Sequence, residues 1–92
     1  MSQLSPQGQQ VLDLVHRGGP FAYDRDGAVF GNRERLLPIR HRGYYREYTV
    51  APAHAQSRGG HRIVCGGSRP TQPDTCYYTQ DHYSSFKRIT EP

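Results

Sequence analysis

A carboxylate, an imidazole and two guanidinium groups are candidates for chemistry in this chain: Glu47, His82, Arg58 and Arg62. A carboxylate can accept a proton, an imidazole can deliver one, and guanidinium groups bind phosphate oxygens. RNA carries its own nucleophile, the ribose 2′-OH, so its cleavage needs a base, an acid for the leaving oxygen and cations around phosphorus, but no metal. The four residues therefore suit RNA cleavage if the fold brings them together.

The segment 44–50 is the strongest predicted strand, because aromatic and β-branched residues dominate it. Successive side chains of a strand point to opposite faces. Val50 marks the core face, so Glu47 is predicted to lie on the other face, away from the core. The two faces carry Arg46, Tyr48 and Val50 on one side and Tyr45, Glu47 and Thr49 on the other.

A second strand is predicted at residues 61–65. If Ile63 and Cys65 face the core, the alternation of side chains places Arg62 on the opposite face, beside Glu47. A carboxylate and a guanidinium group then meet on the open side of one sheet.

His82 lies in a predicted turn at residues 81–83, between a strand at 77–79 and an edge strand at 86–89. From this turn the imidazole can reach over the same open face. Taken singly, a histidine in a turn is typical of a residue that only bonds its neighbours. A glutamate within a strand, such as Glu47, is typical of a solvated face.

One helix is predicted at residues 5–17, where Ser5 can act as the N-cap and apolar residues form one stripe. Gly18 and Gly19 are expected to end it, and residues 1–4 are expected to be frayed.

No helical period follows the first helix, and short β-type runs alternate with turn residues. Asp26-Gly27 predicts a tight turn into a strand at 28–30, and Pro38 ends the next apolar segment. We predict an α+β fold over one domain, residues 1–92: an N-terminal helix packed on a four- to five-stranded antiparallel sheet, with a single modest core and an open surface groove.

Cys65 and Cys76 flank a segment rich in glycine and proline, and this spacing favours a disulfide that closes a hairpin loop. Two buried thiols or half of a zinc site are the alternatives, but the close pairing typical of zinc motifs is missing. We expect neither a bound metal nor a cofactor.

The charge of the chain suits a polyanionic partner. Its net charge is +4, and eleven of its twelve basic residues are arginine. Arginine matches phosphate geometry and stacks on bases. Six further arginines are expected to form a solvated surface: Arg25, Arg35, Arg40, Arg42, Arg69 and Arg88. No apolar run reaches the ~18 residues of a membrane span, so we expect no membrane association.

Four segments in the same order and spacing resemble the microbial guanyl-specific ribonucleases related to barnase, and most of all the small streptomycete-type enzymes. They are GGPFAYDRDGAVFGNRE, GYYREYTVAP, RGGHRIVCGG and YYTQDHYSSF. The resemblance implies the microbial ribonuclease fold. It also implies Glu47 as general base, His82 as general acid, and Arg58 and Arg62 as ligands of the scissile phosphate.

The resemblance also implies a guanine site in the segment 30–34. A single carboxylate, Glu34, would accept the adjacent N1–H and 2-amino donors of guanine. Backbone N–H groups of Gly31, Asn32 and Arg33 would serve O6, and Phe30 or Tyr83 would pack near the base or ribose. Scaffolding is the alternative role for Asn32 and Glu34. Gly31 stands where close relatives carry a longer polar residue.

Partners and context follow from the resemblance rather than from composition. The expected substrate is single-stranded RNA, cut to a 2′,3′-cyclic phosphate and then to a 3′-phosphate, by a monomer that is secreted or extracellular. A small acidic barstar-like inhibitor or immunity protein is a possible partner, if the chain is the toxin domain of an antibacterial system. The alternative is an RNA-binding module that has lost catalysis.

Overall fold

The computed structural model describes residues 6–21, 23, 25–50, 61–69, 71–80 and 83–89. One helix is followed by five strands in chain order. They are α1 (Pro6–Arg17), β1 (Ala28–Val29), β2 (Tyr45–Thr49), β3 (Arg62–Gly66), β4 (Thr75–Thr79) and β5 (Lys87–Arg88). The predicted α+β class is confirmed.

The five strands form one antiparallel sheet in the order β1-β2-β3-β4-β5. The central register places Glu47 opposite Val64 and Thr49 opposite Arg62. The predicted strands are correct in place, although β2 and β3 each differ by one residue from the expected ends. The β4 strand is longer than predicted because it begins at Thr75, before its tyrosine pair.

Helix α1 ends where two glycines adopt positive φ, 83° at Gly18 and 107° at Gly19. Their N–H groups donate to the carbonyls of Val15 (3.3 Å) and Leu14 (2.9 Å), a Schellman arrangement that satisfies the last turn. The predicted end of the helix is confirmed. Within the described residues, no helix has the length and apolar character needed to cross a membrane.

The apolar side of α1 packs on one face of the sheet, which we call the helix face. Its buried cluster joins helix residues to alternate strand residues, as the predicted parity requires: Leu12, Val15, Tyr48, Val50, Ile63, Cys65 and Cys76. Ile63 is completely buried, and its full burial contributes about 1.5–3 kcal/mol. This cluster holds the sheet to the helix.

The opposite side of the sheet, which we call the open face, carries a second buried cluster. It comprises Leu37, Tyr45 and Val64, with partly buried aromatic rings from Phe30, Tyr44, Tyr77, Tyr83 and Phe86 around them. The expectation of a single core is therefore wrong. Aromatic residues of the loops and edge strands fold back over this face, because the tyrosine-rich strands expose a large apolar area there.

A disulfide joins Cys65 of β3 to Cys76 of β4, and the two residues are directly opposite each other in the register. It closes the loop between these strands with a sequence separation of 11. Both cysteines belong to the helix-face cluster, so the crosslink lies on the other side of the sheet from Glu47. The bridge fixes the central hairpin without occupying the open face.

Loss of the disulfide should destabilise the fold without altering the open face. We expect the Cys65→Ala/Cys76→Ala variant to lose about 2–4 kcal/mol of unfolding free energy in urea titrations, because the unfolded chain regains loop freedom. Wild-type protein kept reduced during the titration is the matched control, since it keeps both sulfur atoms. A loss below about 0.5 kcal/mol in both samples would contradict this role of the bridge.

Candidate active site

Glu47 occupies the middle of β2 on the open face, where the predicted parity placed it. It faces away from the core that contains Val50, as predicted, but only 8% of its surface is exposed, which the sequence did not predict. The Tyr83 hydroxyl and the Arg25 guanidinium group approach its two carboxylate oxygens. A carboxyl group buried to this degree needs hydrogen-bond partners, because an unpaired polar group costs free energy when it is removed from water.

The hydroxyl of Tyr83 donates to Glu47 Oε1 at 2.8 Å. Tyr83 has a φ of 74°, a conformation that costs a bulky residue about 1–3 kcal/mol. Its own N–H donates to Thr79 Oγ1 at 3.2 Å, and its ring lies 4.9 Å from that of Phe30. These contacts hold an unfavourable backbone conformation in place, and they aim a hydroxyl donor at one carboxylate oxygen.

Arg62 lies on the same face as Glu47, since its partner Thr49 is two residues from Glu47 along β2. It is 2% exposed, and its Nη1 donates to the backbone oxygen of His61 at 2.8 Å. Arg62 and Glu47 share the open face, as predicted, but Arg62 is almost completely buried rather than projecting from the sheet. Its charge therefore acts from a fixed position.

A surface cavity of about 380 Å³ is lined by Glu47 and by all five residues of the predicted guanine-binding segment 30–34. Its walls mix two carboxylates, two guanidinium groups and aromatic rings. The lining residues are Arg25, Val29, Phe30, Gly31, Asn32, Arg33, Glu34, Leu36, Glu47, Tyr83 and Phe86. This composition suits an aromatic ligand with hydrogen-bonding edges and an attached anion.

The loop that carries Glu34 is closed by Asn32. Its side-chain Nδ2 donates to the oxygen of Leu37 at 3.0 Å, and its Oδ1 accepts from the N–H of Leu37 at 3.2 Å. Asn32 has a φ of 52°, and its carbonyl accepts from Arg35 N–H at 3.0 Å. The side chain of Asn32 thus has the scaffolding role given as the alternative, and Glu34 stays exposed at the cavity wall.

The tight turn that precedes β1 is hydrogen-bonded to β2 on both sides of Glu47. Gly27 donates its N–H to the oxygen of Glu47 at 2.8 Å, and Asp26 Oδ1 accepts from Thr49 N–H at 2.7 Å. The turn brings Arg25 Nη2 to 4.0 Å from Glu47 Oε2. Arg25 is 66% exposed, as expected of a solvated arginine, but it also lines the cavity beside Glu47, and this position depends on long-range pairing that local sequence does not show.

Two predicted site residues, His82 and Arg58, lie outside the described residues. The residue that follows His82 in the chain, Tyr83, contacts Glu47. Among the described residues, the predicted site residues that lie on the open face or line its cavity are therefore Glu47, Arg62, Tyr83 and the segment 30–34.

Tyrosines next to the site remain protonated at neutral pH. Burial raises the pKa of Tyr45 above its usual value of 10.0, and burial together with the hydrogen bond to Asp74 raises that of Tyr44. The Tyr45 hydroxyl can therefore donate to the oxygen of Pro38, at 2.6 Å. This bond ties the end of the cavity loop to β2.

Comparison with known proteins places this arrangement among nucleases. A family model described as ribonuclease matches residues 1–90. Guanyl-specific ribonuclease Sa from Kitasatospora aureofaciens is 46% identical over 91 residues, covering 99% of this chain and 91% of that protein. Ribonuclease Sa3 from the same organism is 50% identical over 96% of this chain. The chain spans only 60% of the length of Sa3.

Solved structures agree with the sequence relatives. Ribonuclease Sa2 with guanosine-2'-cyclophosphate superposes with a TM-score of 0.84 at 41% identity, over 96% of this chain and 88% of that one. A second structure, of Sa2 complexes with mononucleotides, gives a TM-score of 0.87 at 40% identity, over 97% of this chain and 88% of that one. The similarity therefore extends over nearly the whole chain.

The hydrogen bond from Tyr83 to Glu47 should be measurable as a coupling. We expect Tyr83→Phe to lower the unfolding free energy by about 1.5–3 kcal/mol, because the hydroxyl donates to a charged, largely buried acceptor. A double-mutant cycle with Glu47→Ala, which removes the acceptor, isolates the pair in urea titrations. A coupling energy near zero would show that the two groups do not interact in solution.

Proposed function

This chain belongs to the ribonuclease family, and we propose that it is a guanyl-specific endoribonuclease that cleaves single-stranded RNA on the 3′ side of guanosine. The observation that carries the proposal is the position of Glu47 beneath a cavity that also contains Glu34. One carboxylate is thus available for proton transfer and a second for reading a base. The guanyl specificity in the names of the relatives supports the choice of base.

In the first step Glu47 accepts the proton of the ribose 2′-OH, and the 2′-oxygen attacks phosphorus. The bond from phosphorus to the 5′-oxygen breaks, and His82 delivers a proton to that oxygen as it leaves. The product carries a 2′,3′-cyclic phosphate. Tyr83 contacts Glu47 and directly follows His82 in the chain. This contact supports the assignment of Glu47 and His82 to the same reacting phosphate.

In the second step water opens the cyclic phosphate to give a 3′-phosphate. The roles are exchanged: His82 takes a proton from water, and the protonated Glu47 returns one to the 2′-oxygen. Arg62, which is buried and fixed, and Arg58 offset the negative charge that builds up on the phosphorane oxygens.

Guanine recognition is assigned to the cavity loop. Glu34 accepts hydrogen bonds from N1–H and the 2-amino group, which adenine and the pyrimidines do not present together. Backbone N–H groups of Gly31, Asn32 and Arg33 serve O6, and the Phe30 and Tyr83 rings pack against the base or ribose. The hydrogen bonds between the Asn32 side chain and Leu37 support this role, because they hold the N–H groups of the loop in fixed positions.

Export and inhibition are also proposals. The Cys65–Cys76 disulfide supports the proposal that the protein is secreted, because disulfides persist outside the reducing cytosol. Arg25 and Arg33 at the cavity rim, together with the net charge of +4, would favour a small acidic inhibitor or immunity protein.

Cleavage of dinucleoside phosphates tests the proposed function directly. The wild-type protein should cleave GpA and GpC in preference to dinucleoside phosphates whose first base is not guanine. We expect Glu47→Gln to lower kcat by at least about 100-fold, since the amide cannot accept the 2′-OH proton. Product analysis by chromatography measures both, and Asp13→Asn, which removes an exposed carboxylate from α1, is the matched control.

A protein that binds guanosine 3′-monophosphate but cleaves no dinucleotide would contradict the proposal and favour the non-catalytic RNA-binding module. Full activity of Glu47→Gln would remove Glu47 from the mechanism.

Replacing Glu34 tests base selection separately from catalysis. We expect Glu34→Gln to reduce the ratio of kcat/KM for GpA to that for ApA by about 10- to 100-fold, because one charged acceptor of the guanine edge is lost. The rate constants of both substrates are measured side by side, with Asp13→Asn again as control. An unchanged ratio would show that another group selects the base.

A further inference from the structure

Arg25 lies beside Glu47, the proposed general base, and none of the roles assigned above explains its position. Arg25 Nη2 lies 4.0 Å from Glu47 Oε2, while the other carboxylate oxygen, Oε1, accepts from Tyr83. The Arg25 side chain is 66% exposed and lines the same cavity as Glu34 and Tyr83. Its guanidinium group therefore has room to move within the cavity.

The backbone beneath Arg25 is held firmly, in contrast to its side chain. Its carbonyl accepts from Ala28 N–H at 3.0 Å, and Asp26 N–H donates to Tyr23 at 3.0 Å. Arg46 Nη1 donates to the oxygen of Gly27 at 2.8 Å, which ties the turn to β2 a second time. The Cα of Arg25 is thus fixed relative to Glu47, while its long, exposed side chain can pair with either of two neighbouring anions.

In the proposed reaction, negative charge moves from Glu47 to the phosphate, and a mobile cation can follow it. Before the reaction, one negative charge resides on Glu47 and one on the phosphodiester. As Glu47 takes the 2′-OH proton it becomes neutral, and the phosphorane acquires a second negative charge. A cation that can shift from the carboxylate to the phosphate gains attraction as the transition state forms. Arg62, buried at 2% exposure, has no comparable freedom of position.

We infer that Arg25 is a further phosphate-binding residue of this site, which pairs with Glu47 Oε2 in the unliganded enzyme and transfers to a non-bridging oxygen of the scissile phosphate when RNA binds. The inference rests on the proposed function, because it needs RNA in the cavity. It assigns to Arg25 a contact with substrate, and not only an effect on the carboxylate.

Binding of two small ligands separates a phosphate contact from other roles. Guanosine 3′-monophosphate carries the phosphate and guanosine lacks it. We expect Arg25→Ala to weaken binding of the nucleotide by about tenfold, with binding of guanosine unchanged, since a charge-assisted contact is lost. Arg25→Lys should recover part of the loss because it keeps the charge. Arg88→Ala removes an exposed arginine from β5 and is the matched control.

The Glu47→Gln background distinguishes phosphate binding from neutralisation of Glu47. If Arg25 contacts phosphate, Arg25→Ala weakens nucleotide binding in the presence of either residue at position 47. An effect that disappears in the Glu47→Gln background would overturn the inference, because Arg25 would then act only by neutralising the carboxylate. Equal losses for guanosine and its 3′-phosphate would also overturn it, since they indicate a damaged turn.

Turnover of GpA completes the test. We expect Arg25→Ala to lower kcat/KM about tenfold, while Arg88→Ala remains close to wild type. If the wild-type enzyme cleaves GpA and Arg25→Ala matches Arg88→Ala in turnover and nucleotide binding, the inference fails and the proposed function stands. If the wild-type enzyme cleaves no guanosine dinucleotide, the proposed function fails, and the inference fails with it.

Discussion

A carboxylate held almost out of water in the middle of a β-strand is the constraint on which the rest of this structure depends. Glu47 is 8% exposed, and an ionised group at that depth is tolerated only with donors and cations near it. Three different segments contribute to its surroundings: the hydroxyl of Tyr83 donates to one carboxylate oxygen, Arg25 lies 4.0 Å from the other, and the buried Arg62 shares the same face of the sheet. Each of those elements is fastened to the sheet by its own hydrogen bonds.

The two faces of the sheet divide the work of stability and chemistry. The helix face holds α1, the disulfide and the fully buried Ile63, so an apolar cluster and a crosslink stabilise the strands on the side away from Glu47. The open face can then carry buried polar groups and residues with positive φ, which would otherwise cost stability. Tyr83 and Asn32, both with positive φ, line the cavity that contains Glu47.

Local sequence patterns predict much of this arrangement. Alternation along 44–50 and 61–65 places Glu47 and Arg62 on one face, and the register confirms that placement. Two consecutive glycines mark the end of α1, where both adopt positive φ. Such features depend on the period of a strand or on the backbone freedom of single residues, and both can be seen in a short stretch of sequence.

Other features arise only when distant segments meet. The burial of Glu47 and the second cluster depend on aromatic residues from loops and edge strands folding over the sheet. The approach of Arg25 depends on a turn pinned to β2 across more than twenty positions of chain, through the contact of Asp26 with Thr49, which has a sequence separation of 23. The clamp of Asn32 on Leu37 requires a loop conformation that composition does not specify. Periodicity carries no information about such contacts.

A crystal structure of the chain with guanosine 3′-monophosphate would test the central claim most directly, because it locates base and phosphate relative to Glu47 at once. The account predicts the ribose 2′-oxygen within about 3 Å of a carboxylate oxygen of Glu47, the phosphate oxygens within about 3 Å of guanidinium nitrogens of the surrounding arginines, and the guanine edge against Glu34. A nucleotide bound on the helix face, or one whose phosphate points away from Glu47, would contradict it.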